Sequence, residues 1–438
     1  MFKGKTRALV LCLLALLLVA LPLLAAACGD DDEDKTPGVE EKEIVIGSSH
    51  VLTGVPASSA HVTFTGAMEV INYINEVEGG IDGIKIKYVW VDDQYDPAAA
   101  TIAYKNMRNR NHPIMYISMS AGFVAAGVID MLERDKTPAL FYFAFQPDLW
   151  KEADMFFSFG FQPANNFPGL VRWILQDWEA SGKTGRPKLG YLHWNMTHGT
   201  APLDIGVARW SEEHGVDFTS RSYRPMPLDL RPALLGMEDE GVDYLFLQGV
   251  VGDAAVFVRD ARAAGLWDGD MKFIIDPTID ARTALLPIVG EDAEGLYQLA
   301  NNEPWTSGPT DALRKQEEIR EWAGHSPTWT DIGANAAWIA VLKATVRQAV
   351  ADVGYENLNG EAMYNALLKL GPMDTNLTSF KLTGWGPDKK IAQSGIIMTQ
   401  YKRWTPDSGI ATPPDGIPIV TVAISDWVET TNLFEGDW

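Results

Sequence analysis

The sequence predicts an α/β protein of two lobes, each built on a parallel, Rossmann-like β-sheet. Three observations lead there. Beyond residue 43 the 438-residue chain alternates short apolar strand patterns with helix-period patterns. The alternation comes in two sets, one ending near Phe145 and the other starting at Lys188, and such alternation builds parallel sheets flanked by helices. The roughly 400 residues concerned exceed one ordinary core.

The chain opens on a segment outside that body. Lys3, Lys5 and Arg7 precede an apolar run from Ala8 to Leu24, and Ala25, Ala26 and Ala27 lead to Cys28. Charge, apolar stretch and small residues in that order read as a secretory signal over residues 1–27. Leu24-Ala25-Ala26-Ala27-Cys28 resembles the bacterial lipobox, with Ala25 where Leu is commoner. The resemblance implies a lipidated Cys28 at the new N-terminus, where each buried CH2 of an acyl chain contributes about 0.8 kcal/mol of membrane affinity. Residues 28–42 are acidic and nearly free of apolar side chains, which predicts a solvated tether. Its carboxylates lack the spacing of a calcium loop, so no metal site is expected there. The only other cysteine, Cys12, lies in the signal, so no disulfide is available to the mature chain.

The elements then follow in order. Glu43–Gly47 is a strand, followed by a Gly/Ser/Thr/Pro loop. Phe64, Ala67, Met68, Ile71 and Ile74 recur at helical spacing, and the Gly79-Gly80 pair ends that helix. Ile84–Val91 is a strand with Ile84, Ile86, Tyr88 and Trp90 on one face, and Asp96-Pro97 opens a helix as N-cap and first-turn proline. Pro113–Ile117 and Ala139–Phe145 are strands around a helix over Phe123–Glu133. In the second set the strands are Lys188–His193, Asp217–Tyr223, Asp243–Leu247 and Lys272–Ile275. Its helices are Asp204–His214, Leu230–Glu240 and Asp253–Ala264. Ile332–Val353 reads as a long buried helix, and Gly395–Val422 as a strand pair.

Open parallel sheets bind ligands at the carboxyl ends of their strands. The loops after Ile46, Ile117, Phe143, His193, Leu247 and Ile275 therefore carry the expected site. The formal charge of −22 becomes about −25 once the three basic residues of the leader are removed. That argues against a nucleic-acid partner, which needs a basic face.

Particular residues also carry a resemblance. Leu52-Thr53-Gly54, Phe64-Thr65-Gly66-Ala67, Asn75 to Gly83 and Asp92 to Pro97 resemble the N-terminal lobe of the branched-chain amino-acid (leucine/isoleucine/valine) binding proteins of ABC transporters. Gly241-Val242-Asp243, Gly249 and Arg259 to Leu266 add a second block, with weaker similarity to about Lys402. The resemblance implies a type I periplasmic-binding fold with three crossover segments. It places the N-lobe at 43–161 plus 299–375 and the C-lobe at 162–298 plus 376–438. It also implies an extracytoplasmic, membrane-anchored bacterial lipoprotein. Such a protein works as a monomer, needs no cofactor, and hands an amino-acid-like or carboxylate/aromatic ligand to an ABC permease complex in the membrane.

The family's cleft pattern is only partly kept. Ser118, Ser120, Ala121 and Gly122 resemble the small-residue loop that holds an anion or carbonyl. Phe143 and Phe145 stand where the family commonly has small or hydroxylated residues, with Phe145 in the place of a threonine. Ser59, with His61 two residues on, takes the first loop's tyrosine position, His198 replaces another tyrosine, and Val250 a third. Asp276 is the nearest substitute for the family's acidic residue. Trp194 and Trp329 are candidates for stacking on a ligand. Fewer partners for charged ends point to a ligand less zwitterionic than leucine. For Phe143 and Phe145, a core role competes with the cleft role.

Two other functions stay open from sequence. A ligand sensor signalling to a membrane partner uses the same fold. A serine hydrolase would use Ser120 in Ser118-Met119-Ser120-Ala121-Gly122, but the first glycine of the nucleophile elbow is absent and no Asp/His pair completes a triad. No enzymatic activity is expected.

Overall fold

The computed structural model describes residues 41–438 except 55–56, 119–121, 143–152, 161–162, 280–283, 302–303, 305, 307–310, 326–332, 375–380, 388, 390–391, 393–394, 411, 414–415, 427, 430–432 and 434–438. The signal, Cys28 and the tether lie outside the described residues. Everything below concerns the unit that starts at Glu43, together with Lys42, the first residue of β1.

The elements of the first sheet are β1 (Lys42–His50), α1 (Ala57–Glu76), β2 (Ile84–Asp92), α2 (Pro97–Asn111), β3 (Met115–Ser118), α3 (Ile129–Asp135), β4 (Ala139–Phe141) and β5 (Phe156–Ser158). Their order in the sheet is β2-β1-β3-β4-β5, and β1, β3, β4 and β5 run parallel. Local chemistry fixes several joints. Asp96 caps α2 by accepting from the Ala99 N–H at 2.7 Å, Pro97 supplies the first turn, and Arg108 and Arg110 sit in the last. Asn75 bridges both backbone groups of Ile86, at 2.8 and 2.9 Å, and so fastens β2 to α1.

The chain then builds α4 (Pro163–Ala180), β6 (Lys188–Trp194), α5 (Thr197–Ile205), α6 (Val207–Glu213), β7 (Asp217–Tyr223), α7 (Arg231–Asp239), β8 (Tyr244–Leu247), α8 (Val251–Ala263), β9 (Lys272–Ile275), α9 (Leu286–Val289) and β10 (Tyr297–Ala300). It returns to the first sheet with α10 (Asp311–Trp322), α11 (Gly333–Val353), α12 (Gly360–Leu368) and the short pair β11 (Met373–Asp374) and β12 (Lys381–Leu382). It ends in the second sheet with β13 (Gly395–Arg403), β14 (Ile419–Ala423) and β15 (Val428–Glu429). The second sheet runs β14-β13-β10-β9-β8-β6-β7, parallel from β10 to β7, with β13 antiparallel to β10 and to β14.

The cores follow the sheets. On α11, Ala337, Trp338, Val341, Leu342, Val346 and Ala349 form one stripe that packs with α1 and the first sheet, and each of the larger side chains contributes about 1.5–3 kcal/mol by leaving water. The second sheet is covered on both faces. One cluster holds Leu247, Phe257 and Ile275, and the other Phe167, Tyr191 and Phe246.

Several expectations need correction. The helix expected over Asp204–His214 is two helices, starting at Thr197, because Gly206 turns left-handed (φ 98°) and ends the first. The helix expected over Phe123–Glu133 is a 3-10 segment, Gly122–Gly127, followed by α3. The strand at Ala139 is described to Phe141, and residues 143–145 of the expected strand lie outside the described residues. On the expected face of β2, Ile84 and Ile86 are buried, Tyr88 stacks on Trp338, and Trp90 meets Phe64 of α1 while keeping part of its ring exposed. Leu382, Trp385 and Ala392 pack in the first sheet's cluster, and Gly395 opens β13 of the second sheet.

Candidate functional site

Topology locates the site before any side chain is considered. In the first sheet the strand order reverses at β1, between β2 and β3, and in the second at β6, between β7 and β8. Crevices at the carboxyl ends of strands beside such reversals are where open α/β sheets hold ligands. Among the described elements the chain passes between the sheets three times. It leaves from the carboxyl ends of β5 and β10 and re-enters at Gly395, where antiparallel β13 meets the carboxyl end of β10. Both carboxyl edges therefore lie at the ends where the chain crosses between the sheets.

The first edge is small and hydroxylated. Ser118 ends β3 fully buried, its Oγ 3.3 Å from that of Ser49 at the end of β1. His50, the last residue of β1, has Nε2 3.1 Å from Ser48 Oγ and 2.7 Å from the Tyr88 hydroxyl, which itself donates to Ser48 at 2.7 Å. Burial pushes the His50 pKa down to about 3, so the imidazole is neutral, and its Nδ1 has no partner among the described residues. Phe64 of α1 stands edge-on to the ring at 5.0 Å.

The second edge is richer in polar groups. His193 ends one residue short of the close of β6, its Nδ1 2.8 Å from the Trp194 carbonyl and its ring stacked on Tyr191 at 4.8 Å. That hydrogen bond places the proton on Nδ1, and burial lowers the pKa of His193 below its usual value. Gly199, in the first turn of α5, allows that helix to lie on the end of β6. A Cβ there would stand 2.2 Å from the Trp194 carbonyl oxygen. Its neighbour His198 is buried and neutral, its pKa pushed down to about 3 by desolvation.

Gln248, Asp276 and Asn301 directly follow β8, β9 and β10, which are neighbours in the sheet. All three are buried, and each keeps a polar atom without a partner among the described residues: Gln248 Nε2, Asp276 Oδ2, and both side-chain atoms of Asn301. Gln248 Oε1 faces the Trp194 N–H at 3.4 Å, and Asp276 Oδ1 accepts from the backbone N–H and hydroxyl of Thr278. Burial pushes the Asp276 carboxyl up to about 7 against those two hydrogen bonds. No lysine or arginine is paired with any of the three among the described residues. An anion placed one strand spacing, about 4.8 Å, from an ionised Asp276 would be repelled by roughly 3 kcal/mol at an effective dielectric of about 20.

Asp253, buried in α8, anchors the loops behind this edge. Its carboxylate accepts from Trp194 Nε1 at 2.7 Å, Met226 N at 2.9 Å and Val250 N at 3.1 Å. The indole of Trp194 is thus committed to Asp253 inside the core and does not offer its edge to a ligand. Val250 caps α8 and its side chain joins the apolar cluster under that helix.

The structure thus brings Ser118, Gly122, His198, Val250 and Asp276 to the carboxyl ends of the two sheets. Ser59 and His61 lie in α1, and their side chains are outside the description. Ser120, Ala121, Phe143, Phe145 and Trp329 lie outside the described residues. Sequence reasoning passed over Ser49, His50, Gln248 and Asn301. Ser49 and His50 fall in the loop that the sequence predicts after Gly47, and Gln248 and Asn301 lie one residue past their strands. A separate concavity of about 710 Å³, bordered by Trp173, Asp177 and Tyr297, sits at the amino end of β10. There the Asp177 carboxylate already accepts from Lys272 and Tyr244, so it offers no comparable set of unpaired groups.

Known proteins agree with this architecture. A comparison with curated proteins gave no match. Among solved structures, a branched-chain amino-acid ABC transporter protein from Thermus thermophilus with bound valine superposes with a TM-score of 0.73 at 17% identity, covering 90% of this chain and 98% of its own. A fatty acid ABC transporter substrate-binding protein from Thermomonospora curvata gives 0.69 at 18% identity, covering 91% and 95%. A leucine-binding protein from Thermotoga maritima gives 0.65 at 16% identity, covering 85% and 99%. At these identities the likeness is one of fold, the type I periplasmic-binding architecture of two α/β lobes. Residues 43–405 match the family model described as periplasmic binding protein, and the chain belongs to that family.

Proposed function

We propose that this chain is an extracytoplasmic solute-binding lipoprotein. It captures a small organic ligand between its two lobes and delivers it to an ABC importer. The observation that carries this reading is the set of buried polar atoms on Gln248, Asp276 and Asn301, at three adjacent strand ends, that have no partner among the described residues. A buried polar group without a partner costs about 1–3 kcal/mol. A ligand that pairs several at once recovers that cost, so the edge is built to be completed. The neighbours described as binding valine, leucine and fatty acid share the fold and set the size class. In this reading Cys28 carries the anchor and residues 28–42 the tether. Ser118, Ser120 and the Gly122 backbone hold one anionic or carbonyl end, and Phe143 and Phe145 cover an apolar body. Ser59, His61, His198 and Trp329 complete the walls, and the protein acts as a monomer without catalysis.

A thermal-shift screen of amino acids, aromatic acids, amides and short-chain acids tests the reading. A solute at 100 times its Kd adds about 2.7 kcal/mol of stability. Stabilisation by at least one solute, recovered chemically unchanged after hours with the protein, is expected. A screen without any stabilising solute would overturn solute capture, and steady conversion to product would overturn the non-enzymatic reading.

A further inference from the structure

The polar atoms left open on the second edge have a pattern of their own. Gln248 Nε2 can only donate, and its assignment is fixed because Oε1 faces the Trp194 N–H. Asp276 Oδ2 is a lone carboxyl oxygen, and Asn301 offers one donor and one acceptor. Leu247 is registered with Ile275 and Gln298 with Ile275, so Gln248 and Asp276 stand side by side on one face of the sheet, one strand spacing apart. His193, next in register to Gln248 on β6, is neutral and already hydrogen-bonded through Nδ1.

Three ligand ends can be weighed against this pattern. A carboxylate would accept from Gln248 and Asn301 but would lie against the Asp276 carboxyl, which has no cation paired to it among the described residues. An ammonium would satisfy Asp276 and the Asn301 carbonyl oxygen but leave the Gln248 amide N–H, which can only donate, facing a positive charge. A carboxamide or urea carries an acceptor and N–H donors in one plane, at a separation that suits neighbouring side chains. Its carbonyl accepts from Gln248, its N–H donates to Asp276, and Asn301 takes either remaining group.

We propose that the ends of β8, β9 and β10 form a receptor for an uncharged carboxamide or ureide group, with Gln248, Asp276 and Asn301 as the residues that set this specificity. The inference rests on the solute-binding reading above and narrows it to a substrate class. The anionic or carbonyl end held at the first edge is then the ligand's second polar group, or is absent in simple amides.

Titration calorimetry on the full mature protein decides it, using primary amides, carboxylates and amines matched in carbon skeleton: phenylacetamide, phenylacetate and phenethylamine, then isovaleramide, isovalerate and isoamylamine, with leucine and urea alongside. The tightest binders should be amides or urea, each amide at least about tenfold tighter than its matched carboxylate and amine. Gln248→Leu, close in shape, should remove about tenfold of amide affinity while leaving the thermal midpoint of the unliganded protein within a few degrees. Asn301→Leu provides the same check independently should Gln248→Leu not fold. A carboxylate, an amine or leucine binding more tightly than the amides, or amide affinity unchanged in a folded variant, overturns the inference. In that case stabilisation by any other solute in the wider screen leaves solute capture standing, whereas no binding by any solute overturns both.

Discussion

Replacing Asp276 by asparagine should remove a pH dependence of stability that this buried carboxyl creates. In the folded, unliganded protein its pKa is about 7 against an ordinary 3.8, because burial disfavours the charge by more than the two hydrogen bonds from Thr278 favour it. The folded value lies above the unfolded one. The carboxyl therefore contributes its full stability below pH 3.8, and that contribution is lost as pH rises through 7. A gap of about three units, each worth about 1 kcal/mol or a little more, makes the loss roughly 4 kcal/mol above pH 7 and less than half of that at pH 5. Asparagine cannot ionise. It leaves an amide N–H unpaired at a cost of about 1–3 kcal/mol, but that cost is the same at every pH. Urea denaturation of both proteins without ligand, at about pH 5 and pH 7.5, measures the difference. The stability gap should move in favour of Asp276→Asn by about 2–3 kcal/mol across that interval. A gap that stays constant, or moves toward the wild type, would refute the reasoning that this carboxyl is buried without a charge partner.

Four further outcomes are expected. Cys28→Ser should shift the protein from the membrane to the soluble fraction, and an unmodified Cys28 in membrane-bound wild type, read by mass spectrometry, would contradict lipidation. Arg320 holds both oxygens of the buried Glu69 carboxylate at 2.9 and 2.8 Å, tying α10 to α1, so Arg320→Met should cost about 3–5 kcal/mol in denaturation and Glu69→Leu with Arg320→Met clearly less. Asp96→Ala should cost about 1 kcal/mol by removing the cap of α2, measurable in the same assay. Gly199→Ala should lift the first turn of α5 off the end of β6, lowering the thermal midpoint and weakening any solute found in the screen by tenfold or more.

Much of the fold was legible because two periodicities dominate it. Asp217–Tyr223 and Lys272–Ile275 match their observed strands, and Asp96-Pro97 is the cap and first turn it reads as. What escaped lacks a local signal. Helix α4 carries Pro168 in its interior beside Asn165, Asn166 and Gly169, all poor helix formers, and is held by burial of Phe167, Leu170 and Trp173 against the second sheet. Gly206 inside an apolar run gives little warning that it splits a helix. The site was legible in position more than in content. The strand-end rule pointed to the loops after Ile117, Leu247 and Ile275 and the resemblance to Ser118 and Asp276, but Gln248 and Asn301 matter only because β8, β9 and β10 are adjacent, and adjacency is not written in one strand's sequence. Trp194 shows the opposite case: an aromatic beside the predicted cleft turned inward because a buried carboxylate 59 residues away takes its N–H.

The central claim is that two lobes close around a solute at facing strand ends. Small-angle scattering of the mature protein, with and without a solute that stabilises it in the thermal screen, tests this most directly, since hinge closure brings the lobes together. The account predicts a smaller radius of gyration in the bound state, and a solute that binds tightly while leaving the radius unchanged would contradict it.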